Sequence, residues 1–335
     1  MASISRLVLF SALTLGGGLA LSASQAPQPA TGEEKSSSAQ GSAVAFRHEP
    51  NVLHIDIGGR PFADYIYSNK VITRPFFAHV KSPAGIQVTR NHPPDPDKDL
   101  TDHDTFHPGL WMSFGDISAN DYWRLKARVE HEMFVESPQG GPGKGTFTVR
   151  NYYWNREGSD RIAAELASFT ISVEPDGYLL LWDSRFTPYG ETQQIVFGDQ
   201  EEMGLGMRVQ TQLAEQFGGE ITDSKGRKGA KQIWSTQADW IDYGGSLQGK
   251  WVGMTIMPDP ANFRPSWYHA RDYGLIVANA FGQEAMKAGP KSAVPVKKGD
   301  ELRLRYGVLI HSSDSKTGVD LKQAYQRFLA KTRGQ

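Results

Sequence analysis

The sequence contains no cysteine, which excludes disulfide staples, thiolate nucleophiles and cysteine-ligated iron–sulfur clusters. It also lacks a surplus of either charge, with 36 Lys+Arg against 37 Asp+Glu. No basic run interleaved with aromatics marks a nucleic-acid surface, so nucleic acid is not an expected partner. Long hydrophobic runs are missing too. The apolar stretch from Leu7 to Leu21 is broken by Gly16, Gly17 and Gly18 and is too short for a membrane span, so no integral membrane association is expected. Behind Arg6 and ahead of the small residues Ser22, Ala23, Ser24 and Ala26, it reads as a signal peptide over residues 1–26. A secreted or periplasmic protein is the expectation. Residues 27–43, mostly Ala, Pro, Ser, Gln and Gly, cannot bury a core and read as a disordered linker. Residues 44–335 are then expected to form a single β-sandwich domain.

Helical periodicity is scarce. Only Leu321, Ala324, Tyr325, Phe328 and Leu329 fall at i, i+3, i+4, i+7 and i+8, which predicts a short C-terminal helix. Period-two alternation is common instead. Leu53, Ile55 and Ile57 alternate with Val52, His54 and Asp56 ahead of a Gly58-Gly59 turn, and Phe169, Ile171 and Val173 lead through Pro175-Asp176-Gly177 into a second strand. Ala127, Val129, His131 and Met133 alternate with charges, as do Leu302, Leu304 and Tyr306. Many turn-linked strands with almost no intervening helix predict an all-β fold, a large antiparallel β-sandwich of two stacked sheets. No internal repeat favours a propeller.

Three polar stretches could carry chemistry. In Asp102-His103-Asp104-Thr105-Phe106-His107-Pro108-Gly109-Leu110-Trp111, preceded by Thr89-Arg90-Asn91, the two histidines stand four apart. On a helix that spacing would aim both imidazoles at one metal, but Pro108-Gly109 argues for a loop. There they either pin the loop or line a site. The stretch Ser266-Trp267-Tyr268-His269-Ala270-Arg271-Asp272-Tyr273-Gly274 sets aromatic faces beside a cation, an imidazole and a carboxylate. That mixture suits sugars, whose C–H faces stack on rings while Arg, Asn and Asp bond the hydroxyls; a core of aromatics flanked by surface charges is the plainer account. Third, Glu201-Glu202 precedes the glycine-punctuated Met203-Gly204-Leu205-Gly206-Met207-Arg208, and only one of two adjacent carboxylates can face a given cleft, Glu202 by preference. A solvated rim is the alternative for this pair. His54, His79, His131 and His311 read as structural. Gly204-Leu205-Gly206 has no following helix to form a phosphate loop, and no Gly-x-Ser-x-Gly elbow is present.

Taken in order, Thr89-Arg90-Asn91, Asp102-His103 to Trp111, Phe114-Gly115-Asp116, Asp121-Tyr122-Trp123, Glu201 to Gly204 and Ser266 to Gly274 resemble the PmoA-like family of secreted bacterial proteins, a domain of unknown function often labelled methane oxygenase. Relatives carry a richer histidine run where this chain has Asp104-Thr105-Phe106-His107, and often a histidine near Met257-Pro258-Asp259; His103, His107 and His269 are the imidazoles the resemblance retains. It implies a fold similar to the supersandwich of galactose mutarotase, where a Glu base and a His acid exchange protons with a sugar. The favoured expectation is therefore an exported carbohydrate-active protein working by acid–base chemistry on a sugar or glycoside, as epimerase, lyase or hydrolase. Glu202 would be the base and His103, His107 or His269 the acid. Arg90, Asn91, Trp111, Trp267, Tyr268, Arg271 and Asp272 would bind substrate, with no cofactor and no metal. The alternatives are a non-catalytic glycan-binding module and a metal-dependent enzyme using His103 and His107 with Asp102 or Asp104.

Overall fold

A computed structural model of the chain describes residues 42–333. Two antiparallel sheets dominate it, one of ten strands and one of eight, with a separate two-stranded sheet pairing Gln194–Phe197 and Val294–Lys297. The expected signal peptide at 1–26 and nearly all of the expected linker at 27–43 lie outside the described residues; the first strand is Ala43–Glu49. Among the described residues no helix is long and apolar enough to cross a membrane.

The alternation in the sequence translates directly into burial. In Val52–Ile57 every second residue, Leu53, Ile55 and Ile57, is buried between the sheets. The hairpin of Arg161–Glu174 and Gly177–Pro188 closes across Pro175-Asp176, pairing Glu174 with Gly177. One expected alternation fails. The strand Val129–Gln139 changes register between His131 and Met133, and this bulge leaves Met133 exposed on the sheet's edge strand.

Each sheet turns one face to the shared core and one face outward. On the eight-stranded sheet the C-terminal helix Leu321–Thr332 covers the outward face of three central strands; it is capped by Asp320, whose side chain accepts from the Gln323 amide at 3.0 Å. Ala324, Tyr325 and Phe328 pack there on Leu179, Met257 and Leu309. The helix lies close because residue 307 is glycine: a Cβ there would come within 2.7 Å of the Phe328 ring. On the ten-stranded sheet the cover is irregular chain, mainly residues 89–109, over a second small core that includes Phe76, Trp111, Trp123, Leu275 and Val277.

Candidate functional site

Four neighbouring strands of the ten-stranded sheet build the platform: Trp267–Arg271, Leu275–Asn279, Met203–Arg208 and Leu110–Phe114. Tyr268, Ala270, Met203, Leu205 and Met207 belong to the inter-sheet core, so alternation turns Trp267, His269, Arg271, Gly204, Gly206 and Arg208 outward. The register aligns them in rows. His269 pairs with Val277, Val277 with Gly206 and Gly206 with Trp111; one row further on, Arg271 pairs with Leu275 and Leu275 with Arg208. At about 4.8 Å between strands, Trp111 and His269 stand roughly 14 Å apart along their row. Gly206 makes the platform flat, because a Cβ there would lie 2.7 Å from the Trp111 indole.

Over Trp111 rises a stack of rings. His107 lies parallel to Trp111 (5.3 Å, 15°) and His103 parallel to His107 (4.7 Å, 15°), while Tyr273 lies parallel beside both histidines, 5.8 Å from His103 and 6.4 Å from His107. The first two meet because residues 103–107 form one helical turn, closed by the His107 amide donating to the His103 carbonyl at 3.1 Å. This turn is held from below by two buried guanidinium groups. Arg90 donates to the carbonyls of Leu100 (2.8 Å), Asp102 (2.6 Å), His103 (3.0 Å) and His107 (3.0 Å). Arg74 donates to those of Tyr122 (3.0 Å), Trp123 (2.8 Å) and Phe106. Burial lowers Arg90 to about 10 and Arg74 to about 9, so both stay charged at neutral pH. Arg208 grips Asp102 with both nitrogens, at 2.7 and 2.9 Å, and Asp102 also bonds His103 Nδ1 at 2.8 Å. Burial pushes the Asp102 carboxyl up, but the Arg208 and His103 bonds outweigh it and hold it at about 2.

A second cluster lies toward the edge of the same face. Arg271 meets Glu201 at 3.2 Å, and His269 Nδ1 stands 3.4 Å from the same carboxylate oxygen. The chain at Glu201 is held by Asn279, whose amide donates to the carbonyls of Gln200 and Glu201. Glu202 pairs with Arg124, which also reaches Asp121 at 3.3 Å. Burial raises the Glu202 carboxyl, with Asp121 and Glu201 adding to the rise and Arg124 opposing it. Tyr273 lies between the clusters: burial, with Asp102 and Glu202, raises its phenol to about 12 against the pull of Arg208 and Arg271.

The structure redistributes the expected roles. His103, Glu202, Arg271 and Asp272 reach solvent to differing extents, whereas His107 and Trp111 are wholly buried and serve as layers of the stack. Burial and the nearby Arg208 hold His107 well below the ordinary imidazole range, and burial with Arg271 takes His269 to about 3. Both rings are neutral at pH 7, so neither can protonate a substrate as imidazolium. Arg90 spends its guanidinium on loop carbonyls, and Asn91 is engaged with Asp99 (2.8 Å) and Gln87 (2.9 Å). Neither is free for hydroxyls. Tyr268 faces the inter-sheet core and donates to the Ala238 carbonyl, which removes it from any outward site. Trp267 is outward but largely covered, with Arg264 5.7 Å from its ring. Asp272 sits in the exposed turn that carries Tyr273. Among the described residues no three His, Asp or Glu side chains gather as metal ligands, and His103 and His107 face each other as stacked rings.

Arg208, Tyr273, Arg124 and Glu201 are the partners that sequence reasoning did not assign. Arg208 was within reach, since it shares the parity of Gly204 and Gly206 in an alternating strand.

Comparison with known proteins finds the Family of unknown function (DUF6807), which matches residues 52–326. No curated protein matches. Among solved structures, the galactosidase domain of alpha-galactosidase-sucrose kinase, AgaSK, is 9% identical with a TM-score of 0.41, covering 81% of this chain and 42% of that one. This chain thus spans less than half of that protein's length. A galactose mutarotase related enzyme from Lactobacillus acidophilus is 8% identical with a TM-score of 0.33, covering 83% of this chain and 100% of the other. A galactose mutarotase-like protein from Lactobacillus casei is 10% identical with a TM-score of 0.32, covering 81% and 100%.

Proposed function

For a chain that belongs to the Family of unknown function (DUF6807), we propose that the outward face of the ten-stranded sheet binds a carbohydrate and exchanges protons with it. The observation that carries this reading is the meeting, on one platform, of parallel rings that reach solvent with carboxylate–guanidinium pairs. The solvent-reaching parts of His103 and Tyr273 offer ring surface to sugar C–H groups, while Glu202–Arg124 and Glu201–Arg271 offer acceptors and donors together, as hydroxyl recognition requires. In this reading Glu202 is the base, its proton affinity raised by a half-buried site, and His103, backed by Asp102 and Arg208, is the acid. His269 and His107 act as neutral groups. The secreted or periplasmic location, the single folded domain and the resemblance of these motifs to the PmoA-like family belong to the same proposal.

A second reading rests on a specific observation: both carboxylates of the platform are paired with arginines and two of its imidazoles are neutral, as a glycan-binding module without turnover would have them. Calorimetry on a panel of mono- and oligosaccharides, with product analysis of the same mixtures, separates the two. Under the catalytic reading Glu202→Gln and His103→Gln each lower turnover by roughly 100- to 10,000-fold while binding persists. Binding with no product in the wild type selects the module, and no binding across the panel overturns both.

A further inference from the structure

The platform does not stop at Arg271. Beyond it, the strand Trp267–Arg271 pairs with the edge strand Thr236–Gln237, which follows the short helix Ala230–Ile233 and Trp234. Here the surface opens into a cleft of about 640 Å³ whose lining includes Trp234, Arg271, Asp272, Lys228, Lys231 and Gln232. Arg271 belongs to both places: its guanidinium meets Glu201 on the platform and stands 6.0 Å from the Trp234 ring centroid.

Three features of this cleft are unspent. The Trp234 ring is half-buried, and its Nε1 is buried without a hydrogen-bond partner. Lys287 holds its ammonium 5.8 Å from the same ring. Lys228, Lys231 and Lys287 are exposed, and among the described residues none has a carboxylate within ion-pair distance. Of the two acids of the lining, Glu215 accepts from the Ala230 amide at 2.9 Å and Asp272 sits in the exposed turn before Tyr273. The cleft therefore presents one aromatic face and three ammonium groups without a carboxylate partner, against the two carboxylates Glu215 and Asp272 of its lining. A flat apolar face beside unpaired cations fits a sugar ring bearing a negative group, because the ring stacks while the anion meets the ammonium groups.

We propose that the Trp234 cleft is a second saccharide subsite that takes an acidic ring, so that the ligand is an acidic oligosaccharide of at least two residues, bridged at Arg271. This rests on the carbohydrate reading of the platform and adds the substrate class and the direction in which the chain runs. Carboxylate and sulfate share the required chemistry.

The test is calorimetry on the full chain with oligomers of galacturonate, of mannuronate and of sulfated galactose, each matched by a neutral galactose or mannose oligomer of equal length. The expected result is at least tenfold tighter binding of an acidic series, with the uronate and sulfate arms telling the two anions apart, and a preference that shrinks as salt rises. Lys231→Gln with Lys287→Gln should remove the preference while leaving neutral oligomers unchanged. Trp234→Ala should weaken oligomers of both kinds and spare monosaccharides. Equal binding of acidic and neutral oligomers, or a preference that survives the double lysine change, overturns the subsite while the platform reading stands. Failure of every saccharide to bind overturns both. Because the lysines are exposed, the double variant keeps its fold, which an unchanged thermal transition verifies.

Discussion

The two outward faces of the sandwich solve one problem in two ways. On the eight-stranded sheet a regular helix covers the central strands, Phe328 lies across Gly307, and Arg305 binds Asp259 at 2.6 Å and the Thr332 carbonyl at 2.9 Å. On the ten-stranded sheet irregular chain covers the surface, Trp111 lies across Gly206, and Arg208 binds Asp102. The difference lies in what remains open. Arg305 and Asp259 are both buried, whereas Asp102 keeps about a third of its side chain, 35%, in solvent and His103 keeps 42%. A helix satisfies its own backbone, so its cover can be sealed with apolar side chains. A loop must have its carbonyls met from below, as Arg90 and Arg74 do here, and this spends buried charge to hold polar rings at the surface. Such a face is poor at closing a core and well suited to meeting a ligand.

The largest effects should come from the anchoring arginines. Arg305→Met leaves the Asp259 carboxylate buried and uncompensated, for a loss of about 3–5 kcal/mol. Arg90→Met frees loop carbonyls that can turn toward water, for a smaller loss of about 1–3 kcal/mol. Denaturant titration measures both, and saccharide binding should vanish only with Arg90→Met. Next come the glycines: Gly307→Ala and Gly206→Ala each push a ring off its seat, at about 1–3 kcal/mol. Equal destabilisation with loss of binding confined to Gly206→Ala would sharpen the contrast, and loss of binding in both would break it.

Acid should loosen one cover before the other. His107 and His269 have folded-state values below the ordinary imidazole value near 6.5, so below that pH the unfolded chain binds more protons than the folded one. Their contribution is intact above about 6.5 and is lost as pH falls from there toward about 3. Hydrogen exchange at pH 4.5 against pH 7, corrected for intrinsic rates, should show protection falling in residues 100–109 while the helix Leu321–Thr332 keeps its own. The smallest stability effect belongs to His103→Gln, within about 0.5 kcal/mol of wild type because the ring is half-exposed. Turnover, not stability, should register that change.

Much of the frame was legible in the sequence, because alternation at Leu53-Ile55-Ile57 and the helical spacing from Leu321 to Leu329 are local signals. Parity also bears on the site: Trp267, His269 and Arg271 must share a face that Tyr268 cannot, a distinction the adjacent aromatics concealed. Burial of the imidazoles was not legible. It depends on residues 89–109 folding over strands more than 90 positions away, and Arg90 reads as a ligand-binding residue until its loop carbonyls are seen. Nor does spacing reveal that His103 and His107 stack instead of converging.

The most direct measurement is hydrogen exchange on the full chain with and without the tightest-binding saccharide. Protection gained in residues 100–109, 201–208 and 267–275, with none in the helix Leu321–Thr332, is the predicted result. Protection centred on the helix-covered face, or none on the ten-stranded sheet, would contradict the account.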